Sequence, residues 1–339
     1  MILILTESAD PHADHVEQKL RERGADFMRL NPAQFPSKVN LSLSYSATGR
    51  QQGLLRTDER TLDLGPLEAV WYRRPQPPVP HEEITDQACR DYLKKECQIY
   101  LSDVWDSLDC RCVPAPPAVI RRAELKASQL KTAGALGFEI PETLFTNSPE
   151  EFLEFYRRHS GQIVSKLASA SFHGFAGSTF MRYTQLVSRA DVGAASAVRF
   201  CPVIFQSYVP KRVELRVTIV GQEVFAAEIH SQQTNHTRHD WRRYDYFQTP
   251  YLPHELPPDV ARRCVKLVAR LGLCYGAIDL VLTPDGRYVF LEINPNGQYL
   301  WVEQETGLPI SDAICNLLMS GATVGAAAAV GSLPEDDDE

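Results

Sequence analysis

The first third of the chain alternates apolar runs with polar helical stretches, and this pattern predicts a parallel α/β sheet. Residues 1–5 form an apolar run typical of a buried strand, and the polar helix after it ends at Gly24, a natural C-cap. Two more strands are predicted at 26–30 and 69–72. The order strand, helix, strand is typical of a parallel sheet.

Prolines within residues 113–117 follow a helical stretch over 82–108, and they indicate a domain boundary because they cannot continue a helix. The pattern beyond them predicts a helix over 124–136. Ser148, Pro149 and Glu151 then have the spacing of a capping box, which begins a helix reaching Arg158. The remaining periodicities predict a helix over 258–271 and strands at 162–167, 203–209, 214–220, 223–230, 276–283 and 288–294.

Length and composition indicate a globular protein with more than one unit. A single core seldom exceeds roughly 250 to 300 residues, so the 339 residues predict two or three packed units. The net charge of -8 argues against a general nucleic-acid or membrane-surface binder. The first apolar run is too short for a signal peptide or a membrane span, so we expect a cytoplasmic protein. The eight cysteines lack CxxC pairs and indicate idle thiols rather than zinc sites or disulfides.

The last two predicted strands form a hairpin whose register decides which side chains share a face. If the loop has an even number of residues, Asp279 lies directly opposite Glu292, and Asn294 lies two residues further along the same face. A three-residue loop with a glycine bulge is the alternative, and it would separate the two acids onto opposite faces. The apolar pattern does not choose between them, since both faces are apolar.

In the even register, the two acids require a counter-charge. Ionised carboxylates about 5 Å apart at an effective dielectric near 20 repel by roughly 3 kcal/mol, whereas a good cross-strand pair contributes at most about 1 kcal/mol. A proton or a cation is therefore expected between Asp279 and Glu292. With the amide of Asn294 they form an all-oxygen set that suits Mg²⁺, which usually takes one or two carboxylates plus substrate phosphates. The alternative is that the acids cap strand ends or pair with arginines.

A magnesium site predicts phosphates, and phosphates predict cations. Lys126 lies on the first turn of a predicted helix, and Lys166 lies at the end of a predicted strand, before a loop of small residues. Either lysine alone is more typical of a solvated surface side chain. Their order along the chain, together with the acids, is the informative feature.

Six elements in this order resemble the ATP-grasp ligases over residues 120–320. They are Lys126 followed by GFEIP at 137–141, IVSK at 163–166, FQSYV at 205–209, ELR at 214–216, GAID at 276–279 and LEIN at 291–294. The order resembles the branch that includes the ribosomal-protein glutamate ligase. The segments WYRR at 71–74 and NPNGQYLW at 294–301 are more similar to the microviridin-type (graspetide) ligases that mature ribosomal peptides.

This resemblance implies an α/β protein, α+β in its catalytic part, with an ATP-grasp fold. Residues 1–118 would form a parallel-sheet pre-ATP-grasp domain, residues 119–203 a central lid, and residues 204–320 a C-terminal antiparallel-sheet domain with the Mg²⁺ site. Residues 321–339 are small and acidic and predict a disordered tail. The family also implies a homodimer.

The resemblance further implies a role for each matched residue, with ATP and Mg²⁺ as cofactors. Lys126 and Lys166 would bind the nucleotide phosphates, and Arg216 would face the transferred phosphoryl group. The loop at 168–174 has fewer glycines than the phosphate loop of the glutamate ligase, and Ser169 and Ser171 would contribute hydroxyls there. Two Mg²⁺ ions would be held by Asp279, Glu292 and Asn294. The adenine hinge and the ribose ligand would be Gln206, Ser207, Tyr208, Val209 and Glu214.

A basic and aromatic segment at 230–247 is unusual in so acidic a chain. One interpretation is a solvated linker with core aromatics. The other is a clamp for an acidic peptide, because arginine side chains can hold Asp or Glu carboxylates through two parallel hydrogen bonds. The candidate peptide-binding residues are Arg73 and Arg74 in the first domain and Arg238, His239, Trp241 and Arg242 in this segment.

By the resemblance, the enzyme would phosphorylate Asp or Glu side chains of a precursor peptide, which has a leader and a core, to acylphosphates. Thr or Ser hydroxyls would then attack and give ester macrocycles. The alternatives are amide links to Lys, a ligase that adds an amino acid to another carboxylate, and a non-catalytic ATP-binding regulatory protein. No membrane or nucleic-acid partner is expected.

Overall fold

The computed structural model describes residues 1–166, 173–175, 178–180, 184–233 and 250–320, and the chain divides into two units. One unit comprises residues 1–118 with the segment from Ile314, and the other comprises residues 119–313. The segment from Ile314 thus groups with the first unit, whereas the prediction placed all of 204–320 in one subdomain. The predicted tail, 321–339, lies outside the described residues. Among the described helices, none has the length and apolar character to cross a membrane.

The first unit is built on a parallel sheet, as the pattern predicted. Its strands lie in the order β2, β1, β6, β7, and each neighbouring pair is parallel. A second, antiparallel sheet of β3, β4 and β5 was not predicted, although the alternation in NLSLSY at 40–45 was a usable signal. The elements are β1 (Ile2–Thr6), α1 (Pro11–Glu22), β2 (Phe27–Leu30), β3 (Asn40–Tyr45), β4 (Gln51–Arg56), β5 (Thr61–Asp63), β6 (Ala69–Arg74), α2 (Gln87–Asp106) and β7 (Arg111–Val113).

The core of the first unit explains why β1 is apolar from Ile2 to Leu5 and ends in a buried threonine, Thr6. All five of its residues are buried, which is expected for a central parallel strand covered on both faces. Helix α1 begins where Asp10 accepts a hydrogen bond from the His12 N–H, with Pro11 at the first helical position. It ends before Gly24, which has a φ of 68° that only glycine adopts without strain.

The second unit contains two antiparallel sheets. Their strand orders are β12, β9, β13, β8 and β16, β15, β14, β17, β18, and β10 pairs with β11 separately. The elements that follow β7 along the chain are α3 (Pro117–Ala123), α4 (Lys126–Ala135), β8 (Thr143–Thr146), α5 (Pro149–Arg158), β9 (Ile163–Lys166), β10 (His173–Phe175), β11 (Ser178–Phe180), β12 (Gln185–Leu186), α6 (Arg189–Gly193), β13 (Val203–Ser207), β14 (Val213–Val220), β15 (Glu223–Ile229), β16 (Tyr251–Pro253), α7 (Pro258–Arg270), β17 (Tyr275–Leu282), β18 (Tyr288–Asn294), α8 (Leu300–Thr306) and α9 (Ile310–Met319). The first two residues of α3 and the part of α9 from Ile314 group with the first unit.

Of two local predictions in this unit, the capping box of α5 is confirmed in part and the buried stripe of α7 in full. Helix α5 begins at Ser148, whose hydroxyl accepts from the Glu151 N–H at 3.2 Å, as predicted. The reciprocal half of the capping box is absent, because the Glu151 carboxylate instead accepts from the Thr146 hydroxyl at 2.5 Å. The apolar stripe of α7 is buried as its spacing predicted and covers one face of the five-stranded sheet, at Val260, Cys264, Leu267 and Val268.

Candidate active site

A row of charged side chains crosses three neighbouring strands of the five-stranded sheet. Arg216 on β14 lies opposite Asp279 on β17, and Asp279 lies opposite Glu292 on β18. The Arg216 Nη1 donates to Asp279 Oδ1 at 2.7 Å. At the other end of the row, the Nζ of Lys126, the first residue of α4, lies 2.9 Å from Glu292 Oε2. The row therefore reads positive, negative, negative, positive.

The register behind this row has the pairing of the acids expected for an even loop, but the loop itself is the three-residue alternative. Leu282 pairs with Tyr288, and the Thr283 N–H donates to the Arg287 carbonyl at 3.0 Å, which leaves an odd loop of three residues. Gly286 in that loop has a φ of 87°. An odd loop alone would place the two acids on opposite faces. The ladder shifts by one residue between Asp279 and Leu280, and this β-bulge restores the pairing of Asp279 with Glu292.

The counter-charge predicted between the acids is supplied by side chains. Asp279 is bonded to Arg216, and Glu292 to Lys126. The repulsion between adjacent carboxylates is thus offset within the described structure itself, so charge balance alone does not demand a metal ion there. The alternative that an acid pairs with an arginine is what the structure shows for Asp279.

The donor chemistry of the three predicted metal ligands still fits Mg²⁺. Asp279 and Glu292 present carboxylate oxygens side by side, and Asn294 lies two residues beyond Glu292, on the same side of the strand. Asn294 is exposed, and its Oδ1 accepts from the Asn296 N–H at 3.0 Å. Among the described residues, no group of three or more His, Cys, Asp and Glu side chains could hold a metal. A bound ion would therefore draw its remaining oxygens from phosphates or water.

A cleft within the second unit collects most of the predicted nucleotide residues. It is bounded by the ends of β9, β13 and β14 and by the face of β17 and β18 that carries the two acids. Leu291 and Glu292 both line it although they are adjacent, as expected at a bulge. The lining residues are Pro141, Val164, Lys166, Thr184, Gln206, Ser207, Tyr208, Val209, Lys211, Glu214, Asp279, Val281, Leu291 and Glu292.

The segment predicted to be the adenine hinge, residues 206–209, lines the cleft, and part of its hydrogen bonding is already used. The Ser207 N–H donates to the Glu142 carbonyl, and the Tyr208 N–H donates to the Gln162 carbonyl, each at 2.9 Å. The Gln206 side chain donates to the Thr143 hydroxyl at 3.0 Å. Recognition of an adenine through those two N–H groups would require these bonds to be exchanged.

Lys211 is a cleft residue that sequence reasoning missed. Its Nζ lies 3.1 Å from Oε1 of Glu214, the predicted ribose ligand, and the Ser231 hydroxyl donates to the same oxygen at 2.8 Å. All three side chains are largely buried. The spacing of three residues between Lys211 and Glu214, directly after the hinge, was the available signal.

Arg216 lies at the end of the charged row rather than among the cleft-lining residues. It is 5% exposed, and its Nη2 donates to the Gln298 carbonyl at 3.4 Å. The loop that supplies this carbonyl packs directly against β17, since a Cβ on Gly297 would lie 2.2 Å from the Cβ of Ala277. The same loop is held by the Tyr275 hydroxyl, which donates to the Gly297 carbonyl at 2.6 Å.

The predicted peptide residues are placed only in part. Arg74, at the end of β6 in the first unit, is about half exposed and lies 3.6 Å from Glu7. Its neighbour Arg73 is buried beside Asp10. The other predicted contacts, Arg238, His239, Trp241 and Arg242, lie outside the described residues, as does Ser169 of the predicted phosphate loop.

Comparison with known proteins agrees with this architecture. Residues 1–119 match the family model of the MvdD pre-ATP grasp domain. The macrocyclase MdnC of Microcystis aeruginosa MRC, solved with precursor peptide MdnA, is 31% identical over 94% of this chain and 99% of its own, with a TM-score of 0.83. A RiPP-associated ATP-grasp ligase of Chryseobacterium gregarium, solved with ADP and a leader and core peptide, is 32% identical over 94% and 96%, with a TM-score of 0.86.

A third solved structure, the macrocyclase MdnB of Microcystis aeruginosa MRC, is 33% identical over 94% of this chain and 99% of its own, with a TM-score of 0.78. No curated protein sequence matches the chain. The parallel and antiparallel sheets, with the cleft and its charged row, define an ATP-grasp protein, which confirms the predicted fold. The chain belongs to the RiPP-associated ATP-grasp ligases, the family of MdnB and MdnC.

Proposed function

We propose that this protein is an ATP-dependent ligase that joins Asp or Glu side chains of a precursor peptide to Thr or Ser hydroxyls of the same peptide, giving ester macrocycles. The observation that carries the proposal is the charged row beside a cleft that also contains Lys166 and the hinge. Relatives at 31% and 32% identity were solved with a precursor peptide and with ADP plus leader and core peptides.

The reaction has two steps that need positioning and charge neutralisation more than a protein nucleophile. In the first, a peptide carboxylate oxygen attacks the γ-phosphorus of ATP, and ADP leaves. In the second, a peptide hydroxyl attacks the acyl carbon, loses its proton, and inorganic phosphate leaves. The peptide therefore loses the elements of one water for each ester formed.

The side chains would divide this work by position. Lys166 at the cleft wall and Lys126 at the end of the row would bind phosphate oxygens, and Glu214 would accept from the ribose hydroxyls. Asp279 and Glu292, with Asn294, would hold Mg²⁺, which supplies Lewis-acid neutralisation of phosphate charge when bound.

Arg216 would stabilise the negative charge of the phosphoryl group during its transfer from ATP to the peptide carboxylate. In the described structure both cations of the row are held by acids of the row. Substrate binding would replace these ion pairs with lysine–phosphate, arginine–phosphate and metal–carboxylate contacts. The charges of the row, which neutralise one another in the described structure, would then be neutralised by the bound substrates and metal.

The test combines purified protein, ATP, Mg²⁺ and an acidic precursor peptide that contains Thr and Glu or Asp clusters. ADP release that depends on the peptide, with loss of one water per bond by mass spectrometry, would support the proposal. Mild alkaline hydrolysis then separates the products, because esters regain the water and side-chain amides do not. In a parallel reaction that also contains free amino acids, a gain of one amino-acid mass less water would indicate the amino-acid ligase, and no ADP release in either reaction would indicate a non-catalytic protein.

A matched pair of variants in the same hairpin ties the activity to the site. Glu292→Gln removes a row carboxylate and should abolish water loss from the peptide. Asp285→Asn removes a carboxylate from the exposed hairpin loop, where it pairs with Arg287 at 2.7 Å, and should leave turnover unchanged. Equal loss in both variants would contradict the assignment of the row.

A further inference from the structure

Gln129 is a buried side chain of α4 that has no part in the roles above. It is 1% exposed, and its Nε2 donates to the Ala123 carbonyl at 2.7 Å and to the Ile293 carbonyl at 2.8 Å. Its Oε1 accepts from the Ile293 N–H at 3.2 Å. The amide thus bonds both backbone groups of one residue, as a neighbouring strand would. That residue lies between Glu292 and Asn294.

The position of β18 in its sheet explains why Ile293 needs such a partner. In the described part of the chain, β18 is an edge strand, paired in its sheet only with β17. The hydrogen-bond partners of its outward-pointing backbone groups come instead from other parts of the unit. The Phe290 N–H donates to the Glu139 carbonyl at 2.8 Å, and Gln129 takes the two groups of Ile293.

The spacing of these two outward positions depends on the bulge. In an unbroken antiparallel strand, outward-pointing backbone groups recur at every second residue, so residue 290 would be followed by residue 292. The observed spacing is three residues, from Phe290 to Ile293, because the bulge adds one residue at Leu291. Without the bulge, the N–H and carbonyl of Ile293 would face β17 and would be out of reach of Gln129.

The same bulge decides which face carries Glu292. In an unbulged ladder with this loop, residue 291 would oppose Asp279, and Glu292 would turn to the other face of the sheet. The two bonds from Gln129 to Ile293 are made only in the register that brings Glu292 beside Asp279. Lys126, three residues earlier and on the same side of α4, holds the Glu292 side chain in that register.

We propose that Gln129 is a positioning residue that holds the bulged register of β18 and thereby keeps Glu292 opposite Asp279. The consequence for the metal rests on the proposed function, in which these two acids hold Mg²⁺. Groups that orient metal ligands from outside the ligand set typically change metal affinity or activity by 10- to 100-fold when they are removed.

The test uses Gln129→Met, which keeps the length of the side chain and removes all three bonds, and Gln129→Glu, which keeps an acceptor for the Ile293 N–H. In the full-length protein with ADP, Mn²⁺ affinity measured by electron paramagnetic resonance should fall about tenfold in Gln129→Met and less in Gln129→Glu. Hydrogen exchange of the peptide covering residues 288–294 should be faster than in the wild type for both variants, and faster in Gln129→Met than in Gln129→Glu.

A matched control is Thr146→Val, which removes a buried hydroxyl from β8 in the other sheet and should change neither readout. Wild-type exchange at 288–294 and wild-type Mn²⁺ affinity in Gln129→Met would overturn the proposal. If Gln129→Met does not fold, Gln129→Glu decides by the same two readouts. If the wild-type protein binds no Mn²⁺ with ADP, the proposed metal site fails, and hydrogen exchange alone then decides the role of Gln129.

Discussion

Each unit buries an aspartate against an arginine, and the surroundings of the two pairs are different. In the first unit, Asp10 and Arg73 are each 2% exposed, with Arg73 Nε at 3.5 Å from Asp10 Oδ2. The same carboxylate accepts from the Thr6 hydroxyl at 2.7 Å and from the His12 N–H at 3.1 Å, where it begins α1. Every oxygen of Asp10 is thus bonded within the unit, in a role typical of structure.

In the second unit, Asp279 and Arg216 are closer, at 2.7 Å, and a second carboxylate, Glu292, lies directly beside Asp279. Adjacent carboxylates repel, and the second unit offsets this repulsion with two cations, Arg216 and Lys126. A buried Arg–Asp pair alone is therefore weak evidence of function. A second acid in register with it, at the wall of a cleft, is what distinguishes the candidate site from the structural pair.

The largest expected difference between the pairs is in catalysis. Asp279→Asn should lower peptide-dependent ADP formation about 1,000-fold, because it removes a proposed metal ligand and the partner of Arg216. Asp10→Asn should keep turnover within a few-fold at temperatures where the protein stays folded. Steady-state ADP assays measure the turnover of both variants. Similar losses in both would show that the two Asp–Arg pairs do not differ in their contribution to catalysis.

The second difference is in stability. Asp10→Ala should lower the free energy of unfolding by about 3 kcal/mol or more, since it removes an N-cap and leaves the Arg73 charge buried without its carboxylate. Asp14→Ala is the control, because Asp14 lies in the first turn of the same helix and its pair with Arg29 is solvent-exposed on the acid side. That variant should lose less than about 1 kcal/mol. Urea titrations followed by tryptophan fluorescence compare the two.

The third prediction concerns the loop that contacts Arg216. Gly297→Ala should cost about 2 kcal/mol and also lower turnover, because the new Cβ would collide with Ala277 and displace the Gln298 carbonyl. Gly193→Ala in α6 is the control, since a Cβ there meets nothing within 4 Å. Thermal unfolding and the ADP assay measure both effects. A Gly297→Ala variant as active and stable as Gly193→Ala would show that the loop adapts.

The smallest expected effect is a pH dependence of the first unit. Burial lowers the pKa of His12 from 6.5 to about 3, Arg73 acts in the same direction, and Asp10 opposes it. Arg74 and His15 also lower this pKa. Between these values the unfolded chain binds a proton that the folded protein does not, so stability falls as the pH drops below 6.5. The loss from this group reaches about 2 kcal/mol by pH 5.

Substitution of the histidine tests this dependence. The stability of His12→Gln should fall less steeply than that of the wild type between pH 7 and pH 5, as measured by urea midpoints across the range. His81→Gln is the control, because His81 is 44% exposed. Parallel pH profiles for His12→Gln and the wild type would show that His12 is not held neutral.

The sequence by itself determined most of the strands and helices and the class of the fold. A continuous apolar run such as residues 2–5 predicts a strand that is buried on both faces. The apolar stripe of α7 predicts a helix buried on one face, because burial of one face requires apolar residues at a fixed period. Six motifs in order, which include Lys126, Lys166, Asp279 and Glu292, indicated the ATP-grasp ligases, and the segments at 71–74 and 294–301 indicated the graspetide branch. The short sheet of β3, β4 and β5 was not predicted, although the alternation in residues 40–45 was a usable signal.

Only the tertiary structure decided how the site is assembled. The loop of the β17–β18 hairpin is odd, and the acids still face each other because a bulge adds one residue. Nothing in the local pattern indicates that bulge, since both faces of the two strands are apolar. It is held by Gln129, which is 164 positions away from Ile293 in sequence. Arg216 and Lys126 likewise meet their acids through long-range contacts, which no local periodicity records.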